Sequence, residues 1–430
     1  MISTDTFNRL ESEVRSYIRS FPTVFTQASG SWMTDEKGDR FLDFFSGAGT
    51  LNYGHNHPTM KQNLVDYLLD DGIVHGLDMG TKAKRDFLES FERHILKPRQ
   101  LNYKIQFTGP TGTNAVEAAL KLARQVKNRS TILCFTNAFH GVTSGSVAAT
   151  GSRKFREATG TILPNTRFMP FDGYYGDEIN TLALIDKQLS DASSGIDHPA
   201  AVLVETVQGE GGINVASKEW LVALAKLCKK HDMLLIVDDI QMGCGRTGRF
   251  FSFEEAGIKP DIITLSKSLS GYGLPMAIVL MKPELDIWQP SAHNGTFRGN
   301  NAAFVTATTA LNEFWADDTF AQEVRDKGQK LQQRLHQFKD THPAITEVRG
   351  RGMVAGLVMA NGDIADAISE QCFKEGLIIE TCGPKGEVVK LLPALTISTM
   401  DLERGLRILN IALLSVCGRK ATLKEKGAAA

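Results

Sequence analysis

The sequence predicts an α/β protein, with a large domain on a mostly parallel sheet and a smaller α+β domain. Three observations lead there. Short aliphatic or β-branched runs recur through the middle of the 430-residue chain, helical segments separate them, and a smaller strand–helix alternation resumes from about residue 345. Apolar strands spaced by helices imply a sheet covered on both faces, and hence mostly parallel strands. Such sheets carry ligand-binding loops at the carboxyl ends of their strands.

In chain order, residues 104–107 and 131–135 read as strands, with an amphipathic helix over 115–127 between them. Residues 201–205, 234–237, 262–265 and 276–281 are further short aliphatic or β-branched runs, and a helical pattern over 218–231 leads into the second of them. Residues 302–315 and 320–341 read as helices. Beyond them, 353–359 and 388–391 read as strands, and 364–375 and 402–416 as helices. The expected division gives residues 1–55 to the small domain, 56–321 to the large domain, and 322–430 to the small domain again. The lysine-rich tail after Gly418 is expected to fray.

Composition narrows the function classes. With 48 basic and 49 acidic side chains the net charge is −1, so the chain lacks the field of a protein built to coat nucleic acid or anionic membrane. Glu11, Glu13, Arg15 and Arg19 interrupt the region where a secretory signal would be apolar, and no apolar run approaches the ~18 residues of a spanning helix. A cytoplasmic protein is expected. None of the six cysteines forms a C-x-x-C pair, and Gly54-His55-Asn56-His57-Pro58 has no further ligand at suitable spacing, so no metal site is expected.

Two strand ends carry the chemistry. One aliphatic run ends in Asp238-Asp239, and another ends in Ser266-Lys267. A carboxylate and a lysine that converge in one crevice are what pyridoxal 5′-phosphate requires: an amine to attach it, and an anion to keep its pyridine nitrogen protonated. Asp239 should point away from that crevice by strand alternation. Between the 104–107 strand and the next helix lies Thr108-Gly109-Pro110-Thr111-Gly112-Thr113-Asn114, whose small residues and helix start suit a phosphate at Gly112 and Thr113. Gly243-Cys244-Gly245-Arg246-Thr247-Gly248 imitates a nucleotide loop. It does not open a helix directly after a strand, and Arg249-Phe250 stands where a P-loop needs Lys-Ser/Thr.

These residues resemble the class III, fold-type I pyridoxal-phosphate-dependent aminotransferases, the family of the ornithine and 4-aminobutyrate enzymes, over about residues 21–399. The resemblance rests on Asn52-Tyr53-Gly54-His55-Asn56-His57-Pro58, Ala138-Phe139-His140-Gly141, residues 205–212, the Asp238 strand and Ser266-Lys267. Residues 20–25, 76–79, 109–114 and 294–299 resemble the ectoine-pathway branch, which makes diaminobutyrate from glutamate and aspartate 4-semialdehyde. The resemblance implies that Lys267 links covalently to the cofactor and moves a proton, while Asp238 pairs with the pyridine nitrogen. Gln241 approaches the ring hydroxyl, Phe139 stacks on the ring, and Gly112 and Thr113 hold the phosphate. Thr296 reaches the phosphate of a neighbouring subunit, which implies a homodimer or larger homo-oligomer. Glu205, Glu210 and Lys390 are assigned to the substrate gate, Glu205 behind the cofactor and the other two as its ion pair. Phe139 replaces a frequent tyrosine. Lys390 replaces a usual arginine and so lacks the bidentate fork.

Overall fold

The computed structural model describes residues 4–163 and 165–427, and the three alanines that end the tail lie outside that range. The N-terminal strands β1 (Phe25–Ser29), β2 (Trp32–Asp35) and β3 (Arg40–Asp43) form an antiparallel meander. There follow β4 (Lys104–Phe107), β5 (Ile132–Phe135), β6 (Thr166–Met169), β7 (Ala201–Val204), the short pair β8 (Val207–Gln208) and β9 (Asn214–Val215), then β10 (Leu234–Asp238), β11 (Ile262–Leu265) and β12 (Ile278–Met281). The C-terminal part adds β13 (Ile345–Arg351), β14 (Val354–Met359), β15 (Leu377–Ile378), β16 (Glu380–Cys382) and β17 (Val388–Leu391).

The large sheet has the order β4-β12-β11-β10-β7-β5-β6. Neighbours are parallel except where β12 runs against β11 and β4. Alternation sorts its side chains onto two faces. Ile132, Cys134, Leu234 and Ile236 pack with the helix Gly112–Lys127, whose Ala115, Ala118, Ala119 and Ala123 let its backbone come close. Leu133, Phe135, Leu235 and Val237 enter the larger core on the other face. Such burial contributes roughly 25 cal/mol per Å² of apolar surface, so both faces hold the sheet. The sequence carries no signal for β6, a four-residue edge strand with Arg167 exposed. The last helix runs Thr399–Gly427, so the backbone stays helical past Gly418, where the sequence predicts fraying. Alanine, leucine, lysine and glutamate there are all good helix formers.

Register sets the site. Asp238 lies opposite Thr264 on parallel strands, so Asp238 and Ser266-Lys267 emerge at one edge. Phe107 and Leu265 both pair with Ile278, which brings the end of β4 to that edge as well. The smaller sheet, β13-β14-β17-β16, is antiparallel throughout, and β15 completes the N-terminal sheet beside β3.

Arg246 is fully buried within the turn of Gly243 to Gly248. Its Nη2 donates to Asn52 Oδ1 at 2.6 Å, and its Nη1 to the backbone oxygens of Met353, at 3.0 Å, and Pro393. One guanidinium thus joins three segments that are distant in sequence. A Cβ on Gly245 would meet Trp315 at 2.9 Å, so the turn is packed shut rather than open to a nucleotide.

Candidate active site

A cavity of about 180 Å³ opens at the carboxyl edge of the large sheet, lined by Gly112, Thr113, Phe139, His140, Gly141, Glu205, Glu210, Asp238, Ile240, Gln241, Met242 and Lys267. Eight of the residues expected from sequence therefore meet at one place. Lys390 stands behind Glu210, and Thr296 is exposed on a separate turn. Gly295, beside Thr296, packs so closely on the loop after β4 that a Cβ would sit 3.2 Å from the amide nitrogen of Gly109.

Lys267 follows β11 by two residues and has a φ of 51°, a left-handed conformation rare outside glycine. Its Nζ donates to the Ala48 carbonyl at 2.9 Å. Gln241 Nε2 donates to the same oxygen at 3.0 Å. That carbonyl is presented by residues 46–49, all of which have positive φ. Burial, reinforced by the Lys390 charge, lowers the Lys267 pKa below that of an ordinary lysine, against the opposing charges of Glu210, Glu380 and Asp238.

Asp238 lies at the base of the cavity. Its Oδ2 is 2.7 Å from His140 Nδ1, and its Oδ1 accepts from Thr264 Oγ1 at 3.0 Å and from the Ile240 amide at 3.2 Å. Burial works against a charge on His140, but the hydrogen bond and charge of Asp238, aided by Glu205, hold its pKa above the usual value. Sequence reasoning quoted His140 in a motif and gave it no role, because nothing in the spacing shows that it reaches Asp238. Asp239, one residue on, accepts from the Ser252 amide at 3.0 Å and is fully buried. Glu205 accepts from the amides of Phe139 at 3.0 Å and Gly209 at 3.3 Å, and burial raises its pKa to about 7. These contacts place it on the His140 side of the cavity, away from Lys390.

At the other end, Thr111 begins the helix Gly112–Lys127 without a side-chain cap, so the first amides reach the cavity uncapped. Thr113 Oγ1 lies 2.6 Å from Thr143 Oγ1 and 2.9 Å from Ser146 Oγ. Glu117 Oε1 accepts from Thr143 Oγ1 at 2.6 Å and the Gly145 amide at 2.8 Å, which fixes this hydroxyl cluster. A Cβ on Gly112 would meet Ile240 at 3.0 Å, and one on Gly141 would meet Thr113 Oγ1 at 2.6 Å, so glycine keeps both approaches open.

Gln241 Oε1 and His140 Nε2, on two residues that line the cavity, are buried without a hydrogen-bond partner. Buried polar atoms left unpaired are costly and invite a ligand. An amine of lowered pKa, a buried anion, an uncapped helix start and unpaired polar atoms together fit pyridoxal 5′-phosphate.

Sequence reasoning missed Glu380. It lies directly across from Lys390 in the β16–β17 pair. The Lys390 ammonium is 2.7 Å from Glu210 Oε1 and 2.7 Å from Glu380 Oε1. Gln241 Nε2 gives Glu210 Oε1 a second donor at 3.1 Å. Burial alone would raise the Glu210 pKa, but the Lys390 and Lys267 charges and these hydrogen bonds hold it at about 2. Lys390 is raised well above an ordinary lysine: burial opposes its charge, and the two carboxylates outweigh burial. Only the hairpin register brings Glu380 to Lys390, and residue spacing does not reveal it.

The family profile described as aminotransferase class-III matches residues 15–413. The chain is 61% identical over 409 residues to the diaminobutyrate–2-oxoglutarate transaminase of Bordetella parapertussis, covering 95% of this chain and 94% of that one. It is 58% identical over 412 residues to the protein of the same name from Halomonas elongata, covering 95% and 98%. The crystal structure of the ornithine aminotransferase of Toxoplasma gondii superposes with a TM-score of 0.83 at 24% identity, covering 96% of this chain and 94% of that chain, a likeness of fold.

Proposed function

Because this chain belongs to the class III aminotransferases, we propose that it transfers the amino group of L-glutamate to L-aspartate 4-semialdehyde, giving L-2,4-diaminobutyrate and 2-oxoglutarate. The observation that carries the substrate choice is the 54–61% identity, over at least 94% of the chain, to transaminases named for diaminobutyrate and 2-oxoglutarate. Diaminobutyrate formed this way feeds ectoine biosynthesis. The reaction belongs in the cytoplasm, and no helix among the described residues is long and apolar enough to cross a membrane.

Pyridoxal 5′-phosphate supplies, when bound, an aldehyde that carries the amino group and a ring that accepts electrons from a broken C–H bond. Lys267 is the attachment residue. Its lowered pKa favours the neutral amine that would take the substrate α-proton and return it. Asp238 keeps an anion at the base of the cavity, oriented by His140, Thr264 and Ile240. Gly112 and Thr113 would hold the phosphate, Phe139 would cover the ring, and Gln241 would meet its hydroxyl. Thr296 would serve the phosphate of a second subunit, which would make a homodimer the smallest complete unit. Residues 56–321 form the cofactor domain, and 1–55 with 322–430 the small domain that carries Lys390.

Glu210 and Lys390 form the gate. Paired, they leave the pocket without a free cation and admit the ω-amine. When Glu210 withdraws, Lys390 receives the α-carboxylate of glutamate. A donor–acceptor screen read by product mass tests the whole reading, with glutamate and aspartate semialdehyde in one arm and diaminobutyrate, ornithine or 4-aminobutyrate with 2-oxoglutarate in the others. Preference for ornithine or 4-aminobutyrate would overturn the substrate choice, and turnover of a single amino acid without donor would indicate an aminomutase.

A further inference from the structure

We propose that Glu380 is a specificity-determining residue: it stays on Lys390 when Glu210 leaves, so a substrate carboxylate meets a shared ammonium rather than a free one. This rests on the reading of Glu210 and Lys390 as the gate.

The two carboxylates differ in how they are held. Glu380 lies on β16 directly across from Lys390 on β17, and the backbone register fixes the pair. Its side chain is 9% exposed. Glu210 sits in the turn between β8 and β9, and its side chain is 31% exposed. A side chain on a turn with access to solvent has room to rotate away, whereas Glu380 is enclosed beside Lys390, which its Oε1 meets at ion-pair distance without a hydrogen bond. Glu210 is therefore the carboxylate that moves, and Glu380 the one that remains.

Charge then decides what the movement exposes. With both carboxylates ionised the cluster has a surplus of one negative charge. Burial raises the Glu380 pKa, Lys390 opposes the rise and the Glu210 charge adds to it, so removing Glu210 favours the ionised Glu380 and leaves a neutral pair. Without Glu380 the same movement would uncover a full positive charge in a buried setting. Tyr17 borders the cluster, where burial and the charges of Glu380 and Glu210 push its hydroxyl to about 12, so it adds no charge. Lys267, the other basic group facing the cluster, is lowered by burial. Glu380 thus weakens the hold on carboxylates and keeps the mouth hospitable to ammonium groups.

The test is Glu380→Gln in the holoenzyme, with glutarate as a carboxylate probe that carries no amine. Calorimetry should show glutarate binding tighten by about tenfold, because Lys390 is then shared with nothing once Glu210 withdraws. Stopped-flow traces should show the glutamate half-reaction saturating at about tenfold lower concentration while the diaminobutyrate half-reaction slows. Unchanged or weaker glutarate binding overturns the proposal, as do equal losses in both half-reactions, the signature of a structural carboxylate. If the glutamine form does not fold, Glu380→Asp replaces it: the shorter side chain loosens the pair, and glutarate should bind about two- to threefold more tightly, with no gain overturning the proposal. A wild-type holoenzyme inert to diaminobutyrate would sink the substrate reading, while the glutarate comparison would still decide the role of Glu380.

Discussion

Asp238 and His140 meet through a 2.7 Å contact at the base of the cavity, and the far imidazole nitrogen of His140 is buried without a partner. The carboxylate is thus oriented by a group that is itself held above its usual pKa by that carboxylate. Asp238→Asn breaks this mutual support. The glutamate half-reaction should slow by about two to three decades, while the phosphate end keeps its contacts and cofactor retention changes little. Stopped-flow spectra of the half-reaction measure this, and an unchanged rate refutes the role. Asp239→Asn is the control. Its side chain serves the Ser252 amide away from the cavity, so the rate should hold within a few-fold.

Lys267→Ala removes the amine that rests on the Ala48 carbonyl. The variant should lose the visible absorbance of lysine-linked cofactor and all turnover, yet still retain cofactor through the helix start at Gly112. Borohydride reduction of the wild-type protein followed by peptide mapping should label Lys267. A label on any other lysine removes the central assignment.

Lys390→Ala strands the buried carboxylate of Glu380 and leaves the partly exposed Glu210 without its ion pair. Breaking a buried ion pair from one side costs about 3–5 kcal/mol, so denaturant unfolding should show a large loss of stability. Adding Glu380→Gln should restore part of it. In the half-reactions, the Michaelis constant for glutamate should rise by about one to two decades with little change for diaminobutyrate. Glu210→Ala should do the reverse and slow the diamine. Equal losses on both substrates would make Lys390 structural.

Glu205 gives a pH signature. Burial raises its folded pKa to about 7, against a usual value of about 4.5. The folded state therefore holds the proton more tightly than the unfolded one. The stabilisation is complete below pH 4.5 and is lost as pH rises towards 7. Glu205→Gln imitates the protonated form. It should match wild-type stability near pH 5 and exceed it by about 2 kcal/mol at pH 8, less whatever the weaker Gly209 contact supplied. Urea titrations at the two pH values check this, and a constant difference between them would refute it.

How much of this was legible follows a physical line. The ends of β10 and β11 carry their chemistry in adjacent residues, so Asp238 and Lys267 are visible in sequence, and so is the small-residue loop at Gly112. Ala48, His140 and Glu380 are not. Each reaches its partner through contacts between segments, and a change of one residue in the β16–β17 register would turn Glu380 away from Lys390. β6 escaped notice because an edge strand needs no continuous apolar run. Arg246 shows the converse: its glycine spacing imitates a ligand loop, and only the packing around it reveals a closed turn.

Arg246 also constrains how the proposed gate would operate. Its guanidinium holds the carbonyl of Pro393, three residues beyond Lys390, and at the same time Asn52 and the Met353 carbonyl. Sliding the strand that bears Lys390 would either break the Pro393 contact or drag the guanidinium off Asn52 and Met353. In the proposed gate, the switch between amine and carboxylate would then fall to a torsion of the Glu210 side chain. Such rotations take picoseconds to nanoseconds when exposed, whereas domain motions take microseconds to milliseconds. A gate of that kind would let the two unlike substrates alternate in every cycle without reshaping the frame, and would leave the tempo to be set by the chemistry at Lys267.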